Sequence, residues 1–142
     1  LNKIYFYYPD KPYAELMNFY YSEIIINNKK YKTVEHYFQA CKATNEKDHE
    51  KIRRAPSPRI AKKMGLKVKL REDWESVKED IMLTALRAKF TQHSRLREVL
   101  LSTGDSKLYE KSPKDMYWGY KGKNRLGILL EQVREEIKNG EL

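Results

Sequence analysis

From Asp73 to Phe90 the apolar residues Trp74, Val77, Ile81, Ala85 and Ala88 recur at intervals of three and four. A run of that length and period folds as an amphipathic helix, and its stripe must be covered by the rest of the chain. A second stripe, Leu126, Leu129, Leu130, Val133 and Ile137, marks a helix from about Asn124 to Ile137. Three shorter helices are announced by their ends. Thr33 is a good N-cap for one reaching about Thr44. Ser57 can cap a short one with its core at Arg59 to Met64, Pro58 suiting its first position and Gly65 a left-handed C-terminal position. Ser94 opens another, ending at Gly104. Strand signals are few. Lys3 to Tyr8 alternates and is rich in aromatics. Glu23 to Ile26 and Lys30 to Lys32 flank Asn27-Asn28, residues that tolerate positive φ, which predicts a hairpin. Asp105 to Lys123, rich in Tyr, Lys and Gly, reads as irregular. The expected fold is α+β and predominantly helical: a single domain over residues 1–142 with a small antiparallel sheet or hairpin.

With 142 residues, 40% hydrophobic, the chain can bury a core, and eleven tyrosines are more aromatics than a disordered tail of this charge carries. No apolar run approaches a membrane span; Ile24-Ile25-Ile26 is strand-sized. The opening residues lack the basic-then-apolar pattern of a secretory leader. Cys41 is alone, so no internal disulfide or cysteine-based metal cage is expected. These features suit a reducing cytoplasm. The net charge is +9, which fits either a lysine-rich solvated surface or an anionic partner such as a phosphorylated metabolite, a dinucleotide or nucleic acid. Zinc-finger spacing, RNP-type motifs, RGG tracts, P-loops, G-x-S-x-G and G-x-G-x-x-G are all absent. His36, His49 and His93 form no metal-ligand pattern, and no cofactor is expected.

The segment Thr33 to Lys42, Thr-Val-Glu-His-Tyr-Phe-Gln-Ala-Cys-Lys, carries the richest chemistry. At about 100° per residue, Glu35, Gln39 and Lys42 fall in a sector of about 60°, beside a core-facing stripe of Val34, Phe38 and Cys41. A carboxylate, an amide and an amine thus line the edge of a buried face. The alternative is a solvated ladder worth a few tenths of a kcal/mol. Tyr37 and Ala40 on the opposite side favour a covered helix whose Glu35 face lines a cleft. Cys41 reads as a small core residue rather than a nucleophile. A second concentration is Asp115-Met116-Tyr117-Trp118-Gly119, followed by Gly122-Lys123-Asn124-Arg125. Trp118 offers a stacking face and Gly119 lets backbone approach a ligand. Asn124 suits either a cap on the last helix or a ribose or phosphate contact at its N-terminus.

In order along the chain stand Asn18-Phe19-Tyr20, the Tyr31 to Lys42 segment, Ser57-Pro58 with Ala61-Lys62 and Gly65, and Asp73-Trp74-Glu75. Ala85-Leu86 with Ala88-Lys89-Phe90, Leu100-Leu101 with Thr103-Gly104, Asp115 with Trp118-Gly119, and Asn124 with Leu126-Gly127 follow. This order resembles the NADAR superfamily of N-glycosidases from about Asn18 to Arg134, and the block Val34 to Ala40 is its most specific part. Tyr21 stands where proline is frequent and Leu66 where arginine is frequent. The loop between Gly119 and Asn124 is short for the family.

The resemblance implies hydrolysis of a ribose C1′–N bond in a phosphorylated substrate. Two groups are implied: ADP-ribose on guanine bases, free or in nucleic acid, and phosphoribosylamino intermediates of the riboflavin pathway. Glu35 and Lys42 are the expected catalytic pair, with Asp115 a second acid–base candidate. Breaking a C1′–N bond needs protonation of the leaving nitrogen and relief of positive charge at C1′. Lys42 then acts either as an amine nucleophile or as a fixed cation. Trp74 and Trp118 are candidates to stack on the base, and Asn18, Phe19, Gln39, Lys62, Gly119 and Asn124 to position the substrate. The rival reading is a non-catalytic module that binds ADP-ribose or a related nucleotide.

Overall fold

A computed structural model describes residues 2–142. In chain order its elements are β1 (Lys3–Phe6), a 3₁₀ turn (Ala14–Leu16), β2 (Ile24–Ile26), β3 (Lys29–Tyr31), α1 (Val34–Ala40) and α2 (Glu46–Arg53). Then come α3 (Pro58–Lys67), α4 (Trp74–Gln92), α5 (Ser94–Ser102), β4 (Lys107–Glu110) and α6 (Arg125–Lys138). The fold is α+β and predominantly helical, as the helical periods imply. The chain divides into two compact units, a continuous one from Tyr21 to Gln92 and a discontinuous one made of Leu1–Tyr20 and His93–Leu142.

In the continuous unit, Asn27 (φ 53°) and Asn28 (φ 64°) both take the left-handed conformation, the requirement of a two-residue type I′ hairpin. The antiparallel register follows, with Ile24 opposite Tyr31 and Ile26 opposite Lys29. The open edge of β2 is closed by a side chain. The Gln92 amide accepts from Ile25 N–H at 2.8 Å and donates to Ile25 C=O at 2.9 Å, as a neighbouring strand would. Thr33 caps α1 as expected, its Oγ1 accepting from His36 N–H at 3.1 Å. The His36 ring lies between Thr33 Oγ1 (2.8 Å from Nδ1) and Ala55 C=O (3.0 Å from Nε2). It is fully buried, and burial lowers its pKa. This histidine ties the start of α1 to the α2–α3 connection.

Three expectations need correction here. α1 stops at Ala40 rather than Thr44, because the N–H groups of Lys42 and Ala43 reach back only three residues, to Gln39 and Ala40. Helix α2 was not anticipated, since Ile52 is its one buried residue. Its signals were polar: Asn45 caps Asp48 N–H at 2.9 Å, with acids in the first turn and bases in the last. Gly65 does not end α3, which runs on to Lys67. A Cβ there would come within 1.8 Å of Gln39 Oε1, so glycine serves close approach to α1 rather than a left-handed turn.

In the discontinuous unit, β1 is shorter than the predicted Lys3–Tyr8, and the stretch read as irregular contains β4. The two pair in parallel, with Lys3 beside Lys107 and Phe6 beside Glu110. Tyr5 and Tyr109 stack across that pair with ring centroids 5.2 Å apart. α6 packs on β4 through Leu126, Leu129, Leu130 and Val133, all buried; Ile137 is only half-buried. A Cβ on Gly127 would lie 1.9 Å from Leu108 O, so this glycine is what lets the helix meet the strand's backbone. Buried Arg134 donates to Thr103 Oγ1 and Ser106 C=O, each at 2.9 Å, and so holds the α5–β4 turn.

Candidate active site

Every side chain of α1 is buried, so the covered-helix expectation holds and the solvated-ladder alternative does not. Gln39 Nε2 donates to Glu35 Oε2 at 2.6 Å, one turn apart on the same face. The carboxyl is thereby oriented by an amide that is itself pinned, its Oε1 lying against Gly65 of α3. That Oε1 has no hydrogen-bond partner among the described residues, an orphaned acceptor inside the cluster.

Lys42 lies two residues beyond α1, in the tightened turn. Its N–H reaches Gln39 C=O at 3.1 Å and its C=O accepts from Arg71 N–H at 3.0 Å, so the backbone is held from both sides. The Arg71 side chain, paired with Asp73, keeps that segment in place. The amine sits 5.7 Å from the Phe38 ring centroid and 5.6 Å from that of Trp74, over two rings that are themselves in edge contact at 5.0 Å. Burial against these rings lowers the Lys42 pKa; the Glu35 charge opposes the shift, and Lys62 on exposed α3 surface adds to it. The competition between burial and Glu35, undecidable from spacing, is won by burial. Cys41 next door has its thiol pushed up to about 11 by burial, which suits a packing residue and not a nucleophile.

The remaining expected residues belong to the discontinuous unit. Asp115 Oδ1 accepts from Tyr117 N–H at 3.0 Å and Trp118 N–H at 2.8 Å. Its carbonyl takes Gly119 N–H at 3.1 Å. A Cβ on Gly119 would lie 2.4 Å from that carbonyl oxygen, so glycine is needed to close the turn. The Trp118 indole is half-buried and meets Tyr117 edge-on at 4.9 Å. Asn124 adopts φ 49° and makes no cap bond to α6. Its amide instead donates to Leu108 C=O at 2.9 Å and accepts from Glu110 N–H at 3.2 Å, fastening β4. Asn18 and Phe19, both half-buried, follow the 3₁₀ turn. Two open concavities of about 550 and 530 Å³ in this unit, around Tyr13 and Ser102, contain none of the expected residues.

The structure thus brings Glu35, Gln39, Lys42, Lys62 and Trp74 together in one unit and places Asn18, Phe19, Asp115, Trp118, Gly119 and Asn124 in the other. Sequence reasoning gave no role to Lys89, a lysine with no exposed surface whose Nζ lies 5.1 Å from the Phe90 centroid. The signal was present: Lys89 is four residues after Ala85 and three after Leu86, a buried-face position of α4.

An oriented carboxyl beside an amine made less basic by burial is the equipment of a hydrolase that works by proton transfer or amine attack. Residues 5–138 match the NADAR domain family. The N-glycosidase YbiA of Escherichia coli is 48% identical over 93% of this chain and 86% of its own length. An N-glycosidase of Nostoc punctiforme is 43% identical over 96% of this chain and 93% of its own. A riboflavin biosynthesis protein of Vibrio vulnificus is 37% identical over 95% of this chain, which spans 38% of that longer protein. The NMR structure of Escherichia coli YbiA superposes with a TM-score of 0.90 at 46% identity, covering 99% of this chain and 87% of the other. The chain belongs to the NADAR family, and it is an enzyme, a hydrolase acting on N-glycosyl bonds. Among the described residues no helix is long and apolar enough to cross a membrane.

Proposed function

We propose that the enzyme hydrolyses the C1′–N bond of a phosphorylated ribosyl substrate through an imine on Lys42. Either ADP-ribosylated guanine or a phosphoribosylamino riboflavin-pathway intermediate supplies that bond, and a reducing cytoplasm is where both substrate and lone thiol belong. The observation that carries the reading is the Lys42 amine, desolvated by Phe38 and Trp74. A nucleophilic amine must be neutral, and burial increases its neutral fraction at physiological pH.

Glu35 donates a proton to the ribose ring oxygen as the C1′–O4′ bond breaks, leaving an iminium between C1′ and the base nitrogen. Lys42 adds to C1′ with its lone pair. The base nitrogen then departs with a proton passed from the lysine nitrogen, and the C1′–lysine imine remains. Water adds to C1′ and gives a proton back to the Glu35 carboxylate, Lys42 leaves as the neutral amine, and the open aldehyde recloses to ribose; the net reaction consumes one water and restores both groups. Gln39 holds the Glu35 carboxyl in line. Lys62 supplies charge for a phosphate, and Trp118 a face for the base. To Asp115 we give the task of posing Trp118, consistent with its two backbone contacts. Asn18, Phe19, Gly119 and Asn124 are the further candidates to position substrate, and the family match spans all of them.

Borohydride added during turnover of ADP-ribosylated guanosine, and separately of the phosphoribosylaminopyrimidine, should trap a mass increase on the Lys42 peptide. Lys42→Arg keeps a cation but cannot form the imine. An active Lys42→Arg enzyme with no adduct in the parent would leave Lys42 an electrostatic group.

A further inference from the structure

Past the end of α1 the backbone carbonyls have no helical donors. Those of Cys41 and Lys42 lie on either side of the Lys42 Cα, and Arg71 supplies a donor to both. Its guanidinium Nη1 donates to Cys41 C=O at 3.4 Å and its backbone N–H to Lys42 C=O at 3.0 Å. The turn is held a third time by Lys42 N–H, which donates to Gln39 C=O at 3.1 Å. The φ and ψ of Lys42 are the only soft rotations between its two flanking peptide planes. Holding both planes therefore fixes the direction in which the side chain leaves. The other two guanidinium nitrogens, Nε and Nη2, donate to the Asp73 carboxylate at 2.6 and 3.0 Å. Arg71 C=O accepts from Trp74 N–H at 3.3 Å. One residue thus ties the backbone of the amine to the first residue of the helix whose indole covers that amine.

We propose that Arg71 is a positioning residue of this hydrolase, a clamp that sets the direction of the Lys42 side chain and its spacing from the Trp74 wall. The inference rests on the proposed role of Lys42. Arg53, in the same unit, has the same build and makes the comparison. Its Nε and Nη2 grip Glu50 at 2.9 and 2.6 Å, and its Nη1 donates to Lys30 C=O at 3.0 Å. That clamp fastens α2 to β3, and neither end of it carries Glu35 or Lys42. Arg71 acts by geometry and not by charge, since Asp73 matches its own charge. The charges acting on the Lys42 amine are Glu35 of α1 and Lys62 of α3, while Glu75 and Lys78 of α4 pair with each other. A half-exposed ion pair such as Arg71–Asp73 adds little to stability. A reacting group misplaced by about 1 Å, in contrast, can lose about a hundredfold in rate.

The test compares Arg71→Ala, Arg71→Lys and the control Arg53→Ala for kcat, KM and thermal melting, on whichever of the two proposed N-glycosides the parent hydrolyses. The pH midpoint for reductive methylation of Lys42, read by mass on its peptide, follows the amine without any substrate. Arg71→Ala should lower kcat by about ten- to a hundredfold and leave KM within about twofold. Its Lys42 midpoint should move to higher pH, because a turn that parts from the indole returns water to the amine. Arg71→Lys should be nearly as impaired, since an ammonium pairs with Asp73 but lacks the fork that reaches Cys41 C=O at the same time. Arg53→Ala should lower the melting temperature comparably and keep the parent kcat and midpoint. Full activity in Arg71→Lys would reduce Arg71 to an ion pair. An unmoved midpoint in Arg71→Ala, or an equal loss of kcat in Arg53→Ala, would reduce it to a stabilising contact; each of these overturns the clamp. Normal turnover in Arg71→Ala beside an inactive Lys42→Arg sinks the clamp alone, whereas normal turnover in Lys42→Arg sinks the imine. A parent that hydrolyses neither substrate sinks the proposed function, and the midpoint then decides the clamp.

Discussion

Helix α1 with its following turn and the loop from Ser112 to Asn124 both hold polar residues in confined space, but they use them differently. In α1 the polar groups meet other side chains: Gln39 on Glu35, and Lys42 over Phe38 and Trp74. In the loop they meet backbone: Asp115 takes two N–H groups and Asn124 bridges a C=O and an N–H of β4. A helix satisfies its own backbone, which releases its side chains for chemistry. An irregular loop must satisfy its backbone from somewhere, and short polar side chains do it best. The identity of a polar residue therefore says less about its role than whether the local backbone already has partners.

Paired substitutions give the sharpest break. Glu35→Gln should keep the fold and cut turnover by about 10²–10⁴-fold, the span of general acid–base contributions. A comparable loss from the isosteric Asp115→Asn would collapse the contrast.

Next in size is Trp74→Ala, which removes a buried indole and should cost about 3–5 kcal/mol in denaturant unfolding. It also tests the amine. Activity that needs neutral Lys42 rises with pH through a pKa below that of a free lysine, because burial lowers it. Opening the indole wall returns solvent to the amine, so the rising limb of the pH–rate profile should move to higher pH in the variant. A limb that stays in place would dissociate Trp74 from the amine.

Gly65→Ala places a methyl where Gln39 Oε1 now lies. We expect a stability loss of about 1–3 kcal/mol and, because Gln39 must release Glu35 to make room, a drop in kcat larger than any change in KM. An unchanged kcat would mean that the carboxyl needs no amide to orient it.

The smallest effect belongs to Asp115→Asn. The amide oxygen can still accept from Tyr117 and Trp118, so thermal melting and turnover should both change by only about the scale of an ordinary surface substitution, roughly 0.5 kcal/mol. A large loss in turnover alone would promote Asp115 to a proton-transfer group.

Much of this was legible in the residues. The α4 and α6 stripes, the Asn27-Asn28 hairpin, and the Thr33 and Ser57 caps each rest on local rules, and each appears within a few residues of its predicted place. The misses have nonlocal or polar causes. β4 joins β1 across a hundred residues, a pairing with no local signature. α2 has one buried residue and is written in charges. Gly65 has two physical reasons for being glycine, and only the neighbouring Gln39 side chain distinguishes them. In the site, the shared face of Glu35 and Gln39 followed from helical spacing. The sign of the Lys42 shift required Trp74, thirty-two positions away. Arg134 and Lys89 show the same limit from the other side: a charge on an apolar stripe announces itself in the pattern, but its purpose does not.

The parallel pairing of β1 with β4 also sets an order of events at the ribosome. β1 is made before the continuous unit, yet its partner is complete only when Glu110 has been added. The continuous unit ends at Gln92 and has all of its own strands and helices by then. At about 5–20 residues per second, the interval between those two points is roughly one to four seconds. During it the nascent chain carries a unit with every sequence partner in hand, preceded by a β-strand still waiting for its own. Rare codons between Thr91 and Glu110 would lengthen that interval and the exposure of the Tyr5 edge with it, and deleting β1 would remove the wait altogether while leaving β4 without its strand partner.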